Sequence, residues 1–191
     1  IPLQHISDKV LSKMRRQVDG AWTRELVRKL RDRIPGMALR TTMIVGHPGE
    51  GKRDFAELLD FVREARFERL GAFMYSEEEG TYGAANYRDR VSKKEKRERL
   101  SELMDIQRDI SLTFNQSRVA TVEKVLVDDY SDGVLVCRSS LESPDVDGEI
   151  VVRYEPRFFD GKTPEEILGK FIDVKITGAD EYDLIAEPVK R

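Results

Sequence analysis

The chain has 191 residues, one cysteine and a formal net charge of −3. Hydrophobic residues make up 39% and charged residues 36%, so a core can form beneath a very polar surface, and no apolar run is long enough to span a bilayer. A single cysteine, Cys137, excludes an internal disulfide and any cysteine-ligated cluster within these residues, and it suits a reducing, cytoplasmic setting.

The charge is unevenly placed. Residues 1–117 carry 23 Lys and Arg against 19 Asp and Glu, a balance of +4. Residues 118–191 carry 10 against 17, a balance of −7, which returns the overall −3. Two charge regimes argue for two surfaces with different partners.

Residues Ile1 to Gln4 read as the tail of a strand, without a secretory signal pattern. Ser7 is placed to cap a helix with an apolar stripe of Val10, Leu11 and Met14, which Asp19-Gly20 stops. Thr23 can cap a second helix, with Leu26, Val27 and Leu30 on one face and Pro35-Gly36 after it. A strand is expected over 38–45, where Met43, Ile44 and Val45 form the apolar run of a strand covered on both faces. Gly46, Pro48, Gly49 and Gly51 break it, and Phe55, Leu58, Leu59 and Val62 mark a helix over 53–65. Leu70–Tyr75 is a further strand. Strands separated by helices imply βα units and a parallel sheet, whose ligands sit at the carboxyl ends of the strands.

Residues 76–90 form a long polar loop of the functional or disordered kind. Ser92 then caps a charged helix reaching about Asn115, with Leu100, Leu103, Met104, Gln107, Ile110, Ser111 and Phe114 on one face. Its basic cluster (Lys93, Lys94, Lys96, Arg97, Arg99) is interleaved with acids and reads as a solvated face rather than a nucleic-acid patch. From Val119 the texture changes. Val122–Val127, Val134–Cys137, Glu149–Arg153, Phe171–Thr177 and Tyr182–Ala186 are short β-branched segments separated by turn residues, which suggests a small OB-like barrel. The expected division is therefore 1–117 and 118–191.

Gly46-His-Pro-Gly-Glu-Gly-Lys52 fits the spacing of a nucleotide-binding loop. The chemistry argues against one: Arg53 stands where a Ser or Thr should hold Mg²⁺, and Pro48 removes an N–H that phosphate would need. His5 and His47 both fall at strand ends, but two histidines do not make a zinc site unaided. Gln4, Thr41, Thr42, Tyr75 and Ser76 share that rim. In the acidic half, Glu142, Asp145, Asp147 and Glu149 surround a turn without the regular spacing of a calcium loop, so an acidic binding face or a merely soluble one is expected.

Four strings occur in order: Ile1-Pro-Leu-Gln-His-Ile-Ser-Asp-Lys-Val-Leu-Ser-Lys-Met-Arg-Arg16, Leu39-Arg-Thr-Thr-Met-Ile-Val-Gly-His-Pro-Gly-Glu50, Phe73-Met-Tyr-Ser-Glu-Glu-Glu-Gly-Thr81 and Ser143-Pro-Asp-Val-Asp-Gly148. Together they resemble the radical S-adenosylmethionine (SAM) methylthiotransferases, most closely the RimO type, which modifies an aspartate of a small-subunit ribosomal protein. The resemblance implies an α/β fold: the C-terminal part of a partial (β/α) barrel over 1–117, followed by an OB-like TRAM barrel over 118–191. It also implies SAM and 4Fe–4S clusters as cofactors, with the cluster ligands outside this chain, so the chain reads as a C-terminal fragment, inactive alone. A sheet cut at this point leaves a strand edge open to association.

Carried over by position, Gln4, His5, Thr42, Ile44, Val45, Gly46, Tyr75 and Ser76 form the SAM-facing rim. His47 departs from the commoner Phe, and Tyr82-Gly83 from the commoner Pro-Ala. The rival MiaB type acts on tRNA and carries an Arg in the loop where Glu77-Glu78-Glu79 stand. A TRAM domain at −7 would repel RNA and attract a basic ribosomal protein, with Glu142, Asp145, Asp147 and Glu149 as docking residues. A second class of reading is a plain, non-catalytic binding module.

Overall fold

The computed structural model describes residues 1–189. Its chain divides into two compact units, Ile1–Ile110 and Ser111–Arg191. The architecture is mixed α/β, with a closed five-stranded barrel in the second unit.

In the first unit, helices α1 (Asp8–Lys13) and α2 (Gly20–Arg33) precede strand β1 (Arg40–Val45), helix α3 (Lys52–Ala65) and strand β2 (Arg69–Met74). β1 and β2 pair in parallel, Arg40 opposite Arg69 through Val45 opposite Met74. The expected first strand is reduced to a single parallel bridge between Gln4 and Met43, made by Gln4 N–H to Thr42 O at 2.9 Å and Ile44 N–H to Gln4 O at 2.8 Å. Alternation sends Thr41, Met43 and Val45 into the core with Ile6, Leu58, Phe61, Val62, Phe67 and Leu103. The opposite face carries Thr42 and Ile44 beside Gly71 and Phe73, and Phe73 is 62% exposed. β2 has no strand beyond it among the described residues.

Three local expectations are corrected. Helix α2 is capped by Asp19, whose Oδ1 accepts from Trp22 N–H at 2.7 Å, and not by Thr23. Gly20 opens that helix because it lies against the Ile6 carbonyl, which a Cβ there would meet at 2.5 Å. The loop after β2 is not structureless: it contains the short helix α4 (Tyr82–Asn86), capped by Thr81 Oγ1 accepting from Ala84 N–H.

Helix α5 (Lys93–Ser117) begins at Ser92, whose hydroxyl accepts from Glu95 N–H at 3.1 Å. The solvated reading holds for Lys93, Lys94 and Arg97 but not for Lys96 and Arg99, which are buried. The i, i+3 and i+4 steps put those two on the face that also carries Leu103 and Gln107.

The second unit is a barrel of β3 (Val122–Ser131), β4 (Val134–Arg138), β5 (Ile150–Arg153), β6 (Phe171–Ala179) and β7 (Leu184–Pro188), in the order β3-β4-β5-β7-β6. Every pairing is antiparallel except β5 with β7. Asp132 and Gly133, both at positive φ (51° and 84°), close the β3–β4 hairpin as a primed two-residue turn does. A 3₁₀ turn (Pro156–Phe158) and helix α6 (Pro164–Ile167) join β5 to β6. Val125, Val127, Leu135, Ile150, Val152, Val174, Ile176 and Leu184 fill the interior. Cys137 packs among them, and burial pushes its thiol up to about 12, so it stays protonated.

Candidate functional site

The carboxyl ends of β1 and β2 are organised by a buried charge network. Glu50 Oε2 accepts from Gly46 N–H at 2.6 Å and from His47 N–H at 3.3 Å, and its Oε1 accepts from Arg99 Nη1 at 2.8 Å. Arg99 also donates to the Glu50 carbonyl at 3.2 Å and to Glu95 at 2.5 Å. The Glu50 side chain is 0% exposed and that of Arg99 7%, so removing either would leave the other buried without its partner. The turn after β1 is thus held from inside, by its own carboxylate and a guanidinium from α5. Lys96 acts similarly on the next strand: its Nζ donates to Tyr75 O at 2.8 Å and to Asp89 at 2.5 Å. Gly46 sits at φ 74°, and a Cβ there would lie 2.4 Å from Lys96 Cγ. Glycine is needed at this turn by the fold itself.

Both histidines are buried. His5 Nδ1 accepts from Ser7 N–H at 3.0 Å, and its Nε2 lies 3.7 Å from Glu50 Oε2. His47 Nδ1 meets Pro48 O at 3.1 Å, and its ring packs edge-on to Tyr75. Burial lowers the His47 pKa; the Pro48 hydrogen bond and Glu50 oppose that without cancelling it, so the ring is neutral near pH 7.

Beside this network lies a pocket of about 360 Å³, lined by Gln4, Ile44, Tyr75 and Ser76 and also by His47, Lys13 to Arg16, Glu78 and Thr81 to Gly83. Gln4, Ile44, Tyr75 and Ser76 are therefore brought together. Thr42 lies on the same strand face as Ile44 but not on the pocket wall, and His5, Val45 and Gly46 do not line it either. Within the pocket's wall, Gln4 Oε1 and Tyr75 Oη are buried and have no hydrogen-bond partner among the described residues. Burial raises the Tyr75 pKa, with Glu77, Asp89 and Glu78 adding to it, so the phenol remains a donor. Two unsatisfied polar atoms in one pocket are what a polar ligand would complete.

Sequence reasoning missed Lys13, at the end of α1, and Arg15, just after it, which stack over Tyr87 and Tyr82. Their cationic character in the strand–helix segment was the available signal.

Residues 119–189 match the family model described as TRAM domain. Over 97% of its length the chain is 45% identical to a protein of Phocaeicola vulgatus named ribosomal protein uS12 methylthiotransferase RimO. Proteins of the same name from Porphyromonas gingivalis and Geotalea uraniireducens are each 46% identical, over 98% and 99% of the chain. By sequence, the chain is similar to RimO-type proteins over nearly all of its length. It spans about two fifths of the length of these relatives, 41% to 42%.

Within the TRAM domain the four acidic residues separate by burial. Glu142 is turned inward: it pairs with Arg118 at 2.5 Å and accepts from Ser139 N–H at 3.0 Å and Ser139 Oγ at 2.7 Å. Burial would raise its pKa, but Arg118 and Ser139 bring it below the ordinary value. Asp147 accepts from Ser143 N–H at 2.7 Å, whereas Asp145 and Glu149 have exposed side chains. The domain thus offers Asp145 and Glu149 outward, and uses Glu142 to hold its own turn.

Among the described residues, no three His, Cys, Asp or Glu side chains converge as a metal ion would require, and no helix is long and apolar enough to cross a membrane.

Proposed function

We propose that this chain is the carboxyl-terminal portion, the end of the radical SAM barrel over 1–117 and the TRAM domain over 118–191, of an enzyme that methylthiolates the β-carbon of an aspartate in a basic small-subunit ribosomal protein. The observation that carries the reading is the 45% to 46% identity to proteins named uS12 methylthiotransferases over 97% to 98% of the chain.

The residues at those strand ends fit SAM. Gln4 Oε1 would accept from an amino group or hydroxyl, Tyr75 Oη would donate, and Ile44 offers an apolar wall to an adenine ring. Arg15 offers positive charge to a carboxylate at the same mouth. SAM bound there, with the 4Fe–4S clusters of the complete enzyme, would supply the methyl group and the radical chemistry. The role of these residues is to orient and to exclude water. Glu50 and Arg99 fix the turn, His47 fills space as a neutral ring, and Lys96 ties the Tyr75 backbone to the following loop.

The TRAM domain would dock the substrate. Its balance of −7 favours a basic protein and disfavours RNA, and Asp145 and Glu149 are the outward charges of its acidic turn. The tRNA-directed alternative predicts a basic domain here. The reading puts the enzyme in the cytoplasm.

The test uses the complete protein with its clusters reconstituted, incubated with SAM, a sulfur source and uS12, and followed by mass spectrometry. Gain of one methylthio group on an aspartate is expected. Modification of tRNA with none of the protein would defeat the reading.

A further inference from the structure

A second, open groove of about 540 Å³ runs along the 46–51 turn, also within the first unit, and shares Lys13 with the pocket. Its walls carry Lys13, Lys52, Arg88 and Arg90, together with Arg99 and the two acids Glu50 and Glu95. The acids are already committed, since both are bonded to Arg99. The four other cations are not: none has an ion-pair partner among the described residues, and Lys13 lies over the Tyr87 ring at 4.1 Å and against Gly49.

Elsewhere in the unit Lys9, Arg24, Arg28, Lys29, Arg31 and Arg63 are paired with carboxylates. The four cations of the groove come from three separate segments, α1, the start of α3 and the loop after α4, around one concavity. Like charges collected without counter-ions repel one another, and the arrangement is relieved when an anion enters.

The four charges line an open groove rather than a closed cavity. It suits a run of phosphates, each neutralised in turn. We infer that this groove grips the phosphodiester backbone of RNA, without reading its sequence. The inference rests on the proposed function: a ribosomal protein substrate lies against RNA, so an enzyme that meets it there faces both chemistries. The +4 of residues 1–117 and the −7 of residues 118–191 then have separate assignments, RNA for the first and basic protein for the second.

The experiment measures binding of the complete, cluster-reconstituted protein to labelled RNA across a salt series. The probes are a small-subunit ribosomal RNA fragment that surrounds the substrate protein, a tRNA, and inorganic pyrophosphate. Arg88→Gln/Arg90→Gln and, separately, Lys52→Gln are compared with Lys94→Gln/Arg97→Gln, which removes as much charge from the exposed side of α5. The double groove variant is expected to flatten the slope of log K against log salt by about 1.5 to 2, the contribution of two phosphate contacts, and Lys52→Gln by about half that. The α5 control is expected to keep the wild-type slope, and the ribosomal fragment to bind at least as well as tRNA.

The inference is overturned if no RNA binds, if pyrophosphate binds and RNA does not, if tRNA is clearly preferred, or if the control loses as much as the groove variants. Methylthiolation of free uS12 by the wild-type enzyme is assayed in parallel. Its absence would strike the proposed function while leaving the RNA measurement to be read alone.

Discussion

The two units solve the problem of polar groups in opposite ways. The barrel closes: each of its strands has a neighbour on both sides, and its buried Glu142 is met by Arg118 and Ser139. The βα unit stays open. Its sheet has two strands and one bridge, its outer strand shows Phe73 to solvent, and Gln4 and Tyr75 keep buried polar atoms without partners. A closed fold has spent its polar groups on itself, whereas an open one that spends charged pairs to hold a turn, and leaves atoms beside it unsatisfied, has the form of a binding site.

The largest test of this contrast removes the buried guanidiniums. Arg99→Met leaves Glu50 charged and buried, and Arg118→Met does the same to Glu142. Each is expected to cost about 3–5 kcal/mol. Chemical denaturation gives the magnitude, and hydrogen exchange should show protection lost around 46–51 in the first variant and around 139–147 in the second. Equal, global loosening by both would erase the distinction between the units.

Two glycines at positive φ sharpen it further. Gly46→Ala must displace Lys96 as well as hold a left-handed backbone, at about 2–3 kcal/mol. Gly133→Ala has the same backbone problem with nothing within 4 Å of the new Cβ, so about 1 kcal/mol is expected. Indistinguishable midpoints in urea would show that the Lys96 contact is easily yielded.

The smallest effect is a pH dependence confined to the first unit. Burial alone would raise the Asp54 carboxyl, but hydrogen bonds from Lys9, the Gly51 N–H and Ser7 carry it down from 3.8 to about 2. A depressed carboxyl adds stability that is fully present above its unfolded pKa and lost as pH falls through the folded one. Asp54→Asn should therefore be less stable than wild type above pH 4, with the gap closing as pH falls towards 2. A gap that persists at low pH would mean that the carboxylate's charge is not what matters there.

Much of this was legible in the residues. The barrel strands follow from β-branched runs between turn residues, and β1, α3 and β2 from short apolar runs on either side of a Gly/Pro break and a stretch of helical spacing, although the alternating burial of β1 was not foreseen. The rim was legible too, because Gln4, Ile44, Tyr75 and Ser76 all fall at strand ends. What stayed hidden depends on partners distant in sequence. Lys96 and Arg99 look like any charges on a solvated helix, and only Glu50, 49 residues before Arg99, makes a buried place for one of them. Glu142 reads as part of an acidic turn until Arg118, 24 residues earlier, is seen against it. Asp19 displaced Thr23 as a cap because Gly20 had to approach the Ile6 carbonyl, a contact with no local pattern.

The central claim, that the open unit's rim is the cofactor site, is tested most directly by equilibrium binding of SAM to the complete, cluster-reconstituted protein. Ile44→Asp and Gln4→Ala should each weaken binding about tenfold or more, a loss of about 1.4 kcal/mol, while Glu149→Gln in the TRAM barrel leaves it unchanged. Wild-type affinity in both rim variants would contradict the account.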